Sequence, residues 1–204
     1  EDSWRRFLEP KIGRPVTEAE FQTYIHGRNM GEILVYFFSR PFSREETDAL
    51  EEEKESLYRA LCLASPDFAL APGLPEFLDA LREREIPRNI ATASALPNVR
   101  FFFEHLPLAR WFDPDLVVYN DGSLPGKPAP DLYLAAAARI GADIRACTVF
   151  EDATPGIEAA RRAGARRIVG VASMQTPQAL LAHGATHAVA GYSSAGDLLR
   201  LVLS

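Results

Sequence analysis

Along the first third of the chain, apolar residues recur at helical spacing, and the breaks between them carry helix-start signals. Residues 3–8 read as an opening helical stretch. Thr17-Glu-Ala-Glu20 and Ser43-Arg-Glu-Glu46 have the spacing of capping boxes, in which a hydroxyl and a carboxylate satisfy each other's exposed N–H groups. The second opens a long amphipathic helix with Ala49, Leu50, Leu57 and Leu61 at helical spacing, ending near Leu63. Between the two boxes, Met30–Phe38 is a short, strongly apolar helix. It follows Gly27-Arg28-Asn29, where Gly27 suits a helix stop and Asn29 the next N-cap. Pro, Asp and Gly punctuate residues 66–73, and beyond them short apolar runs alternate with helical ones. A boundary is expected there, dividing a helical domain, 1–68, from an α/β domain, 69–204. Strands are expected at residues 89–93, 116–119, 147–151, 167–172 and 187–190. Each is followed by a loop and a helix, as in a parallel sheet.

Two carboxylates, Glu151 and Asp152, stand at the end of one apolar run and just before a helix start. Thr154 reads as the N-cap of that helix, Pro155 as its first residue and Gly164 as its left-handed stop. Ligands of open α/β sheets gather outside the carboxyl ends of the strands, and two hard oxygen donors there suit Mg²⁺. The same pair would also complement the helix dipole. Gly126-Lys127-Pro128-Ala-Pro-Asp131 places a lysine on a loop stiffened by two prolines, directly before an apolar helix at 132–140. The chain has only three lysines, Lys11, Lys54 and Lys127, so one at this loop is telling. A compact ammonium suits a phosphoryl oxygen where a planar guanidinium would not fit. Upstream, Thr92, Ala93 and Ser94 join a short strand to a helix at Leu96–His105, and hydroxyls with N–H groups at a helix start form an anion cradle. Taken singly, Thr92 could be a helix cap, Ser94 a turn residue and Lys127 a solvated charge.

In order along the chain, these segments resemble the haloacid dehalogenase-like superfamily, and within it the phosphatases and β-phosphoglucomutase-like enzymes that carry a helical cap. The resemblance implies an α/β fold, a Rossmann-like parallel sheet core with an α-helical cap domain. It matches Thr92 to the hydroxyl that holds the transferring phosphoryl group, Lys127 to the lysine that neutralises it, and Glu151 and Asp152 to the acidic pair that holds Mg²⁺. It implies phosphoryl transfer through an aspartyl-phosphate, on a small phosphorylated metabolite such as a sugar phosphate. Ala93, Ser94 and Asn98 become candidate phosphate contacts, and Gly27, Arg28 and Asn29 candidate contacts to the leaving group. Ala95 stands where a mutase would place a second lysine, which favours a phosphatase over a phosphomutase.

One part of the family pattern does not occur: no Asp-x-Asp-Gly stands before the helical stretch, and the only Asp-x-Asp is Asp113-Pro114-Asp115. The expectation is that the nucleophile belongs to a missing amino-terminal segment, and that residues 1–204 alone are inactive. The competing reading is a non-catalytic homologue that still holds phosphate or Mg²⁺.

Composition adds boundaries. With 204 residues, 47% of them hydrophobic, the chain can bury a substantial core. A formal net charge of −6 offers no electrostatic reason to bind nucleic acid or an anionic membrane. No apolar stretch reaches the length of a membrane span and no leader opens the chain, so a cytoplasmic location is expected. Cys62 and Cys147 lack metal-ligand spacing and read as buried thiols. The four histidines, His26, His105, His183 and His187, are scattered with no pair at metal spacing. Phe101, Phe102, Phe103, Trp111 and Phe112 read as packing residues.

Overall fold

The computed structural model describes residues 1–25, 28–173 and 175–204. Its contacts divide the chain into two compact units, Glu1–Phe68 and Ala69–Ser204.

The first unit is helical: α1 (Asp2–Ile12), a single turn α2 (Glu18–Glu20) continued by a π-helical stretch Phe21–Ile25, α3 (Met30–Phe38) and α4 (Arg44–Ala64). Both expected capping boxes form, Thr17 with Glu20 and Ser43 with Glu46. Its core is Phe7, Leu8, Val16, Phe21, Ile25, Met30, Ile33 and Leu34. Helix α4 covers that core without entering it, because Leu50, Leu57 and Leu61 are only half-buried and Ala49 is exposed.

Glu20 is a buried carboxylate, which is costly unless every oxygen finds a donor. Arg14 supplies a fork of two bonds (2.6 and 3.0 Å), Thr17 donates from its N–H and its hydroxyl (both 2.9 Å), and the Tyr36 hydroxyl donates at 3.3 Å. Arg14 first, then the Thr17 N–H, holds this carboxyl at about 2, below the usual carboxylate range.

The second unit contains a three-stranded parallel sheet in the order β1 (Thr148–Glu151), β2 (Arg167–Val171), β3 (His187–Val189). Helices α5 (Leu74–Glu83), α6 (Leu96–His105), α7 (Asp131–Arg139), α8 (Thr154–Ala163), α9 (Pro177–Ala182) and α10 (Ala195–Leu203) surround it. Successive residues of β1 face opposite cores, as the period of two requires. Val149 packs with Tyr133, Ile157, Ala160 and Leu180, whereas Phe150 packs with Phe77, Leu198 and Tyr192. Gly170 on β2 lets α9 lie close, since an added Cβ would stand 2.8 Å from the Leu180 Cβ. This is the α/β, Rossmann-like architecture expected.

The structure corrects several details. Residues 89–93 and 116–119 do not form strands; they meet in one parallel bridge, Ala91 to Val118, and residues 114–116 form a 3₁₀ turn. Two backbone bonds hold the bridge, Thr92 N–H to Val118 O (2.9 Å) and Val118 N–H to Ile90 O (3.0 Å). With so few rungs the ladder does not propagate into a strand. The N-cap of α8 is Ala153, in extended conformation and with no side-chain cap bond. Thr154 is instead the first helical residue, its hydroxyl taking a bond from the Gln175 amide at 3.3 Å. Gly164 does end α8 in the left-handed region, φ 78°. Cys62 and Cys147 are half-buried rather than buried. Among the described residues no helix is long and apolar enough to cross a membrane.

The Glu20 site makes a pH prediction for the helical unit. A carboxyl lowered from 4.5 to about 2 contributes stability that is fully present above pH 4.5 and lost as pH falls through about 2. Thermal midpoints followed by circular dichroism should therefore fall more steeply between those values in the wild type than in Glu20→Gln, which should also be the less stable protein at neutral pH. Equal slopes would show that Glu20 is not the coupled group.

Candidate functional site

The carboxyl end of β1 carries the two acids in different surroundings. Glu151 turns into the protein, its side chain only 10% exposed, and Asp152 stays exposed. One oxygen of Glu151, Oε1, accepts from both the Lys127 ammonium and the Tyr133 hydroxyl. The Lys127 ammonium also reaches Ala91 O (3.4 Å) and lies over the Tyr133 ring, 4.7 Å from its centroid. The Lys127–Pro128 peptide is cis. Lys127 is thus a tethered cation, 15% exposed, rather than a solvated loop charge.

Gly156, in the first turn of α8, makes room for this arrangement. A Cβ there would overlap the Glu151 carboxylate. Burial, and after it the Glu151 carboxylate, pushes the Tyr133 phenol well above its ordinary range, so it remains a donor. Burial likewise raises Tyr192, to about 12, with Asp152 and Glu151 adding to the effect. Asp152 takes a hydroxyl bond from Ser173 at 2.9 Å. Glu151, Asp152, Ser173, Phe150, Val171 and Tyr192 border a cavity of about 590 Å³ at the carboxyl ends of the strands.

Thr92 is half-buried at the end of the Ala91 bridge, and its Oγ1 accepts from the Ser94 N–H at 3.1 Å. Its own proton is therefore left to donate. The bond is a local side-chain turn rather than a helix cap; α6 begins after Ala95 with no side-chain cap. Ala93 is exposed and Ser94 half-buried, with Ser94 O accepting from Asn120 N–H at 3.0 Å. Asn98 is buried on the inner face of α6 beside Val99. In the helical unit Asn29 caps α3, accepting from Glu32 N–H at 3.0 Å. Arg28 borders a hollow of about 620 Å³ with Tyr24, Glu32 and Tyr36, and the two tyrosine rings stack at 3.6 Å. Gly27 lies outside the described residues.

Among the described residues no group of three or more His, Cys, Asp or Glu side chains could hold a metal ion. Two adjacent carboxylates still fit Mg²⁺, which commonly takes one or two from the protein and completes its oxygen shell with water and phosphate. Asp152 is the freer donor, because it is exposed and meets only a neutral hydroxyl, whereas Oε1 of Glu151 is held by a cation and a phenol. Tyr133 and Ser173 escaped the sequence reading. A tyrosine in an apolar helix face needs a partner for its hydroxyl, and that requirement was the available signal for Tyr133.

Comparison with known proteins bears on this geometry. The haloacid dehalogenase-like hydrolase family matches residues 4–164. The phosphorylated carbohydrates phosphatase of Thermotoga maritima is 31% identical over 193 residues, which cover 90% of this chain and 83% of that protein. The fructose-1-phosphate phosphatase YqaB of Escherichia coli is 42% identical over 78 residues, 38% of this chain and 40% of that enzyme. A solved structure of a hydrolase of family IA, variant 3, from Entamoeba histolytica has a TM-score of 0.90 at 34% identity, covering 100% of this chain and 91% of its own.

The room at Gly156 predicts a reversal of sign. Alanine is favoured over glycine in a helix by up to about 1 kcal/mol. In the presence of Glu151 the new methyl must displace the carboxylate from Lys127 and Tyr133, so Gly156→Ala should lower the thermal midpoint. In a Glu151→Ala background the same change should raise it. A stabilising Gly156→Ala in the otherwise unaltered protein would contradict the packing described.

Proposed function

Because the chain belongs to the haloacid dehalogenase-like hydrolase family, we propose that it serves a phosphatase acting on small phosphorylated carbohydrates. The observation that supports this most directly is a half-buried, tethered Lys127 ammonium beside the Thr92 segment and the Glu151-Asp152 strand end. In this reading a phosphoryl group is bound by the Lys127 ammonium, the Thr92 hydroxyl and the Ala93 N–H. Because Thr92 Oγ1 accepts from the Ser94 N–H, its own proton is available to donate. Asp152 would hold Mg²⁺, with Glu151 and Ser173 steadying its surroundings. When bound, the ion would neutralise phosphoryl charge as a Lewis acid. Phosphoryl transfer depends mainly on such positioning and charge.

The nucleophile would be an aspartate outside residues 1–204. Its carboxylate oxygen would form a bond to phosphorus as the P–O ester bond breaks and the leaving oxygen takes a proton from solvent; water would then add at phosphorus and give its proton to solvent, releasing phosphate and restoring the carboxylate. Asp113-Pro114-Asp115 is a poor substitute, since Asp113 caps a 3₁₀ turn by accepting from Asp115 N–H at 3.0 Å. β1 is an edge strand whose alternate backbone groups face away from β2, and Ala91 likewise pairs on one side. Both edges would suit one further strand carrying the nucleophile. By family resemblance the helical unit would be the cap, and Gly27, Arg28 and Asn29 are proposed as its contacts to the carbohydrate. Ala95 offers no cation for a second phosphate, which favours hydrolysis over mutase chemistry.

The test is hydrolysis of p-nitrophenyl phosphate by the full-length protein with Mg²⁺. Lys127→Ala should lower kcat roughly a hundredfold or more, the scale of losing one preorganised electrostatic contact, and Lys127→Arg should not restore it. Asp152→Asn should weaken Mg²⁺ activation more than Glu151→Gln. Residues 1–204 alone should be inactive. Turnover by that fragment, abolished by Asp113→Asn or Asp115→Asn, would overturn the reading.

A further inference from the structure

We propose that Tyr133 is a positioning residue for Lys127, acting through the oxygen of Glu151 that both groups share. The inference rests on the phosphatase reading above and adds to it a residue of the α7 core.

Tyr133 is 7% exposed and its ring packs with Val149 and Ile157. A residue there for packing alone could be phenylalanine, because an unpartnered hydroxyl in an apolar core is costly. The hydroxyl of Tyr133 donates to Glu151 Oε1, the same atom that accepts from Lys127. The ring face lies beneath the Lys127 ammonium at 4.7 Å, so Tyr133 meets the cation directly and its counter-ion through a hydrogen bond. The three side chains form a closed triangle, and Gly156 leaves the carboxylate the room to complete it.

A lysine stem has four rotatable carbons and its ammonium follows the strongest nearby acceptor. With the phenol taking part of the charge of Oε1, the ammonium keeps an N–H free for a phosphoryl oxygen. Without the phenol, Lys127 alone must satisfy Oε1 and is drawn toward Glu151. Charge-assisted hydrogen bonds are strong enough for this redistribution to alter a rate about tenfold.

The full-length protein is assayed with p-nitrophenyl phosphate and Mg²⁺ as wild type, Tyr133→Phe, Lys127→Ala and the double variant. Tyr133→Phe keeps the ring but removes one donor from a desolvated carboxylate, so the thermal midpoint should fall by a few degrees while the protein stays folded at the assay temperature. Its kcat should fall about tenfold with KM within about twofold. In the Lys127→Ala background the same substitution should change kcat by less than about twofold, because a residue that acts through Lys127 has nothing left to position. An unchanged kcat in Tyr133→Phe, or a loss of equal size with and without Lys127, would overturn the proposal. Inactivity of the wild type would refute the phosphatase reading instead. A readout independent of turnover then decides the positioning. The Lys127 ammonium proton resonance, visible when its protons are held in hydrogen bonds, should shift and broaden in Tyr133→Phe, and an unchanged resonance would refute it.

Discussion

A carboxylate withdrawn from water must be met by donors, and the second unit is arranged around meeting that demand at Glu151. Lys127 comes from a loop, Tyr133 from the first turns of α7, and Gly156 from the start of α8, so three separate segments are fixed by one side chain at the end of β1. Desolvation alone would disfavour Glu151, and desolvation of Lys127 alone would disfavour that charge as well. Together, and with a phenol as second donor, the pair is tolerable in a way that neither is singly. The gain is placement: a flexible cation is held beside Ala91, at the edge of the bridge that carries Thr92.

The helical unit solves the same problem with a similar set. Glu20 is buried and is met by an arginine, a threonine and a tyrosine hydroxyl. The difference is in what lies nearby. Around Glu20 the fork of Arg14 is bidentate and both oxygens are occupied, which makes a structural clasp. Around Glu151 the cation is a lysine with three rotatable protons, and exposed Asp152 stands next to it. The first arrangement holds a loop in place; the second leaves charge facing a cavity.

Much of this was legible in the sequence where the signal was local. The capping boxes at Thr17 and Ser43, the helices Met30–Phe38 and Leu96–His105, and the left-handed Gly164 follow from residue chemistry within a few positions. Glu151 and Asp152 stood out as adjacent carboxylates between an apolar run and a helix start, and Lys127 as one of only three lysines, on a loop stiffened by prolines. What depends on partners distant in sequence was not legible. Residues 89–93 have the composition of a strand, but strand formation requires a ladder on at least one flank, and only one bridge is present. Glu151 and Asp152 read as an equivalent pair, and only the packing of α7 and α8 separates them into an inward and an outward acid. Thr154 gave its expected cap position to Ala153, whose extended backbone carries the carbonyl that accepts from the Ile157 N–H, and the Thr154 hydroxyl takes a bond from the Gln175 amide instead.

The bare first turn of α8 has a consequence for anyone who would rebuild this site elsewhere. Grafting Glu151, Asp152 and Lys127 onto the strand ends of another Rossmann-like scaffold would copy the chemistry and omit what places it. An ordinary helix start, with a side chain in every position of its first turn, would push the grafted glutamate into solvent and release the lysine with it. The portable unit is therefore a strand end together with a hole in the following helix, and the hole is the part that a comparison of functional groups alone would leave behind.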